Sequence, residues 1–401
     1  MKLKSGYPYS LIKYGLPYSY PRLDKNIKTD VLVLGGGISG ALSAHYLVQE
    51  GIECTLVDAR TIGLGSTCAS TSLLQYEIDT PLHRLIKIIG ANAAVRSYKL
   101  GESAILKLES IARKAGLQDF NFTKSLYCAA FKKDISYLKD EFKARKKYGF
   151  NVKYLDETDI LNDFGFASPA GILSGVAATA DSYLLTHRLL QFNIKKGLGV
   201  YDRTPIISIK PQKNYVELTT WDRFVIKARR LVYATGYEVV NFISKPIVRL
   251  ASTYAIASES FNTPQKLGKN DAVIWNTAAP YLYMRTTKDN RIIVGGRDVE
   301  FFSHILRDKL IPQKTKQLQK DFTKMFPSIP FKPEFSWAGV FGSTKDGLPF
   351  IGTYKNLPNS FFALGFGGNG ITFSQVAGEI IASLIKGKRN RDAALFSFDR
   401  I

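Results

Sequence analysis

Cysteine and histidine are scarce in this chain, and each scarcity excludes something. The three cysteines among 401 residues (Cys54, Cys68, Cys128) are odd in number and lack metal-ligand spacing. That argues for a reducing, cytoplasmic setting without structural disulfides. The four histidines, at 45, 83, 187 and 304, pair neither with one another nor with cysteine at zinc-like intervals, so no metal site is expected. No uncharged apolar run reaches the roughly 18 residues of a membrane-spanning helix. The opening stretch, MKLKSGYPYSLIKYGLPYSYPRL, has no apolar signal core; its Tyr, Pro and Gly predict an extended arm, residues 1–29, lying over the body. Acids are also in deficit. With 34 Asp and Glu against 55 Lys and Arg, the net charge is +21, which suits RNA, an acidic lipid surface or an anionic substrate. Yet in KKDISYLKDEFKARKK and RDKLIPQKTKQLQKDFTK acids interleave with the bases, as on a solvated helix face.

Glycine is plentiful, and it is placed. Residues 30–58 read DVLVLGGGISGALSAHYLVQEGIECTLVD. The apolar run Val31–Leu34 predicts a strand buried on both faces. Gly35, Gly37 and Gly40 follow in GxGxxG spacing, with Ile38 and Ser39 opening a helix. Gly35 allows the tight turn, Gly37 admits a pyrophosphate, and Gly40 lets helix and strand pack closely. The helix N-terminus offers free N–H groups to phosphate. A second strand ends in Asp58, 23 residues after Gly35, placed to bond ribose hydroxyls, with Ala59 and Arg60 beside it. The order strand, loop, helix, strand, acid indicates a dinucleotide and leaves FAD and NAD(P) both open.

Further along, GLGSTCASTS offers small and hydroxyl residues (Gly65, Ser66, Thr67, Ser70, Thr71) that can bond phosphate or sugar oxygens. Helices are expected over 84–116, 134–148 and 181–196, with a strand at SLYCAAF between the first two. Three short strands (PIISIK, NYVELTT, RFVIKA) precede LVYATGYE, where Ala234, Thr235 and Gly236 have little side chain to obstruct a ligand. Residues 246–335 carry Tyr- and Arg-rich strands, then a basic helix. They read as an antiparallel substrate domain. Near the end, the strand FFALGF runs into Gly367, Gly368, Asn369, Gly370 and Ile371, a second glycine loop opening a second helix.

These motifs together (GGGISG with Asp58, GSTCAST, ATG, and DGLPFIG with GFGGNGI) resemble the D-amino-acid-oxidase-like superfamily of FAD-dependent amine and amino-acid oxidoreductases, over essentially the whole chain. The resemblance implies an α/β (overall α+β) fold: a Rossmann-type FAD domain of the glutathione-reductase-like kind, from residues 1–100, 165–245 and 336–401, and a substrate domain from 101–164 and 246–335. It implies FAD spanning both loops and hydride transfer from an amine carbon to the flavin, with O2 or another acceptor taking the electrons. The arginine that clamps a carboxylate in glycine- and D-amino-acid-oxidizing members is replaced here by Phe341, favouring an apolar or cationic amine. Arg285, with Arg249 and Arg297 behind it, is the arginine placed to substitute. The covalent flavin anchors of some relatives fall at Ala69 and Gly339, so dissociable FAD is expected; Cys68 lies near the first of these. Gln75, Glu77, Tyr254, Tyr283, Phe341 and Lys345 are candidates for the flavin face, Lys345 for oxygen activation or amine binding. Two other readings stay open: a peripheral, membrane-apposed dehydrogenase passing electrons to a quinone, and an RNA-associated flavoprotein, possible RNA modification included. The lack of an appended RNA-binding module counts against the last.

Overall fold

Val31–Leu34 forms the buried end of a strand, Ile27–Leu34, at the heart of a parallel sheet in the computed structural model, which describes residues 1–243, 245–269, 271–364 and 367–400. Gly365 and Phe366 of the second glycine motif lie outside the described residues. The strand order is Phe350–Thr353, Ser360–Leu364, Val225–Tyr233, Ile27–Leu34, Cys54–Val57, Gly199–Tyr201. Along this order all neighbours run parallel except the first pair, and Val216–Thr220 with Ile206–Pro211 branches antiparallel from Val225–Tyr233. Burial on both faces explains the lack of polar alternation. Val31 and Val33 pack into the core shared with Ala41, Leu42 and Ile380 of the flanking helices. Leu32 and Leu34 enter a different core with Val216, Leu218 and Phe362.

The second sheet has the order Lys4–Gly6, Pro333–Ser343, Arg249–Ser258, Ile292–Glu300, Tyr283–Thr286, Ala272–Asn276, Phe120–Cys128, Ala170–Ala180, Leu73–Leu74, with Val152–Asp156 also on Ala170–Ala180. Its pairings are antiparallel apart from Ala272–Asn276 on Phe120–Cys128. The helix His304–Met325 covers one face, where Leu318 and Phe322 join the core of Tyr254, Ile256 and Ala338.

The sheets divide the chain differently from the sequence expectation. Ala170–Ala180, expected in the cofactor domain, pairs with Phe120–Cys128, and Pro333–Ser343 pairs with Arg249–Ser258. The run AGILSGVAATA has few β-branched or aromatic residues, so its strand is faint in sequence. The expected helix over 84–116 is two, Leu82–Ile89 and Ala91–Lys114, broken at Gly90 with φ +80°. RFVIKA and LVYATGYE share one strand, Val225–Tyr233. The arm is woven in: Lys4–Gly6 is an edge strand, Tyr9–Tyr14 is helical, and Leu3 and Tyr9 are buried.

Candidate functional site

A cavity of about 400 Å³ opens between the carboxyl ends of the parallel strands and the second sheet, where open α/β sheets bind ligands. Its first wall is glycine-built. A Cβ on Gly40 would lie 1.8 Å from the Gly35 carbonyl oxygen, and one on Gly35 would lie 2.5 Å from that of Ala234. The loop closes only without side chains at these two places. The Thr67 hydroxyl accepts the Ile38 N–H (3.0 Å) at the mouth of the helix. Asp58 accepts the Gly36 N–H at 2.6 Å and the Arg60 N–H at 2.7 Å. Burial raises the pKa of its carboxyl, while those amides and the Arg60 charge oppose the rise. Arg60 lines the cavity, but its guanidinium is forked onto Glu238 (2.6 and 3.1 Å).

The wall continues through Ala59, Gly65, Ser66, Ser70 and Thr71, then Ala234, Thr235 and Gly236. Ser66 Oγ and Thr235 Oγ1 are buried with no hydrogen-bond partner among the described residues. A buried hydroxyl left this way is costly, so both fit a ligand that supplies the missing bonds. At the second loop Gly367, Gly368, Gly370 and Ile371 reach the cavity. Gly368 N–H donates to Asp79 (3.1 Å), and the Asn369 and Thr372 side chains donate to the Gln75 carbonyl (2.8 and 3.3 Å). Asn369 and Gly40 thus shape the loops without lining the cavity. The two loop-bearing helices touch: Ser39 Oγ lies 2.6 Å from Ser374 Oγ, and Gly378 lets Leu42 and Tyr46 approach.

The second sheet supplies Thr253, Tyr283, Asp298, Gly339 and Phe341, and the loop before the strand Tyr283–Thr286 supplies Tyr281. Of the residues singled out in sequence for the flavin face, Phe341, Tyr283 and Gln75 line the cavity; the others point elsewhere. The Tyr254 ring is buried on the helix side and its hydroxyl donates to the Arg307 carbonyl (3.4 Å). Arg285 is a strut, donating from Nε to the Thr71 carbonyl (2.5 Å) and from Nη1 to that of Thr286 (3.0 Å). Glu77 is buried against Arg145 (3.4 Å). Lys345 is exposed in a turn. Arg249 and Arg297 are surface residues paired with Glu300 and Asp321. Cys68 is buried, its thiol raised to about 11 by burial.

Sequence reasoning passed over Tyr281, Tyr237, Glu238 and Asp298, all of which line the cavity. Asp298 had a signal, the glycine pair in RIIVGGRD. Tyr254 pairs with Gly296 and Ser252 with Val299, so the register slips between them, and Arg297 takes φ +59°. Such a bulge re-aims side chains. A Cβ on Gly295 would lie 2.4 Å from the Tyr283 ring, and one on Gly296 would lie 2.5 Å from the Tyr281 carbonyl oxygen. The glycines make room for these tyrosines, and the bulge carries Asp298 to the cavity.

Among the described residues, no group of three or more His, Cys, Asp or Glu could hold a metal ion, and no helix is long and apolar enough to cross a membrane. Gamma-glutamylputrescine oxidoreductase of Escherichia coli is 23% identical over 393 residues, spanning 93% of this chain and 86% of that one. D-amino acid dehydrogenase of Granulibacter bethesdensis is 23% identical over 408 residues, spanning 90% and 96%. The structure of glycine oxidase from Geobacillus kaustophilus superposes with a TM-score of 0.76 at 19% identity, covering 93% of this chain and 99% of that one, a likeness of fold. The model of the family described as DAO, FAD dependent oxidoreductase, matches residues 30–384. From the strand before the first glycine loop into the last helix, the chain belongs to the family of FAD-dependent oxidoreductases.

Proposed function

We propose that this flavoenzyme oxidises a C–N bond of an amine or amino-acid-like substrate. In this reading FAD is held by Gly35, Gly37, Ile38 and Ser39 at its pyrophosphate and by Asp58 at its ribose. Ser66 and Thr235 supply the hydroxyls it would satisfy, and Gly367–Ile371 close over its flavin end. Bound there, FAD supplies a two-electron acceptor for the hydrogen on the substrate carbon. The rest falls to the protein: to hold that carbon in place, exclude water and leave the nitrogen neutral. The observation that carries the reading is the second wall. Tyr281, Tyr283 and Phe341 make an aromatic wall, suited to orienting a substrate for hydride loss.

The test is anaerobic. Amines and amino acids are added by class to the yellow protein while its visible absorbance is followed. Bleaching by a C–N donor is expected, and a fully oxidised spectrum with every class would overturn the reading. A second reading has its own observation. Phe302, Ile305 and Leu306 are 73%, 58% and 52% exposed around the start of the helix His304–Met325, an apolar cluster that favours a peripheral membrane dehydrogenase with a quinone acceptor. Oxygen uptake during turnover favours an oxidase; turnover only with an artificial acceptor favours the second reading.

A further inference from the structure

The cavity contains a carboxylate with one oxygen left unbonded by the described residues. Asp298 Oδ1 is buried with no hydrogen-bond partner among the described residues, and it stands in the same cavity as Tyr281, Tyr283 and Phe341. The Tyr281 and Tyr283 rings are tilted together with centroids 5.7 Å apart. A second acid, Asp79, accepts the Tyr281 hydroxyl at 3.3 Å. Among the described residues Arg60 is the one lysine or arginine lining this cavity, and Glu238 already holds it. The compartment therefore offers negative charge and aromatic faces, with no cation left for a carboxylate. Aromatic faces beside a carboxylate favour a cation.

We propose that Asp298 recognises the substrate by its ammonium group and takes a proton from it, so that the enzyme selects amines by their cationic nitrogen and not amino acids by their carboxylate. This rests on the amine-oxidation reading above. One N–H bond of the ammonium breaks, one O–H bond forms on Asp298, and the opposite charges cancel. The product is a neutral amine whose lone pair assists loss of the neighbouring hydride. Burial, with help from the Asp79 charge, raises the Asp298 carboxyl to about 6, while the Thr253 hydroxyl and the Lys314 charge pull it back. That keeps it ionised at neutral pH and more basic than an exposed aspartate.

The test uses two ligands that share a tert-butyl group and bring no oxidisable C–N bond: tert-butylammonium, which has no hydrogen on its nitrogen-bearing carbon, and pivalate. Binding to the holoenzyme is followed by perturbation of the flavin spectrum and by calorimetry. The cation should bind at least tenfold more tightly than pivalate, with the preference fading as pH falls through about 6. Asp298→Asn should erase the preference and its pH dependence with flavin content unchanged, and Asp298→Glu should restore part of it. Equal or tighter binding of pivalate, or a cation preference untouched in Asp298→Asn, overturns the proposal. Should the Asn variant fail to fold, the wild-type ratio and its pH profile still decide. Anaerobic reduction on the same preparations separates the two claims. Amines that bleach the flavin without a cation preference sink the Asp298 role alone; a clear cation preference with no bleaching by any C–N donor sinks the amine-oxidation reading.

Discussion

Thr235 and Ser66 have opposite energetic meanings with and without cofactor. In the apoprotein each would bury a hydroxyl oxygen that has no partner among the described residues, at a cost of about 1–3 kcal/mol; with FAD bound, each gains a hydrogen bond of about 0.5–1.5 kcal/mol. Thr235→Val should therefore raise the melting temperature of the apoprotein while weakening FAD binding roughly 2- to 10-fold, read by thermal scans and flavin fluorescence titration. A change of one sign in both would show that the hydroxyl does not meet the cofactor. The glycine loops were legible residue by residue because their chemistry is local. Asp298 was harder to read, since the glycine pair before it marks a β-bulge but only the register slip turns it to the cavity. Arg285 was misleading for the converse reason. Its spacing fits a clamp, but its guanidinium is taken up by the Thr71 and Thr286 carbonyls.

Among the elements, the first glycine loop leaves the least freedom. Gly40→Ala places a methyl 1.8 Å from the Gly35 carbonyl oxygen and should yield protein without flavin. Gly51→Ala, at φ +72° with open space around it, should keep its flavin and lose about 1–2 kcal/mol. Flavin absorbance per protein and urea unfolding separate the two. The helix Ile135–Lys147 is held by a buried network. Glu141 accepts the Leu82 and His83 N–H groups (3.0 and 2.9 Å), and Arg145 donates to Glu141 (2.6 Å) and Glu77 (3.4 Å). Arg145→Met keeps the volume but strands both acids, and should cost about 3–5 kcal/mol in denaturation midpoint analysis. Helix positions were largely visible in sequence. The network was not, because Glu141 and Arg145 read as charges on a solvated helix face, while Glu77, 68 residues from Arg145, read as a candidate for the flavin face.

At the scale of the whole molecule, the division into domains was the least legible feature. Ala170–Ala180, Pro333–Ser343 and Leu73–Leu74 all cross into the second sheet, and only pairing partners reveal it. The cavity between the sheets shows Ala69 and Gly339 near one another, with a Cβ on Gly339 lying 3.6 Å from that of Ala69, and neither can bond a flavin. Acid precipitation should therefore leave the yellow colour entirely in the supernatant; colour in the pellet would mean a covalent link. Ser39 and Ser374 meet at 2.6 Å although 335 residues separate them, and the strand before the second loop, Ser360–Leu364, completes the parallel sheet beside Val225–Tyr233. During synthesis the first glycine loop must wait for its contact with Ser374 until the helix Gly370–Ile385 has left the ribosome. Cofactor capture is then a late step of folding: a polypeptide stalled before Gly367 would emerge colourless, and yellow colour would report a chain whose second loop has joined the first.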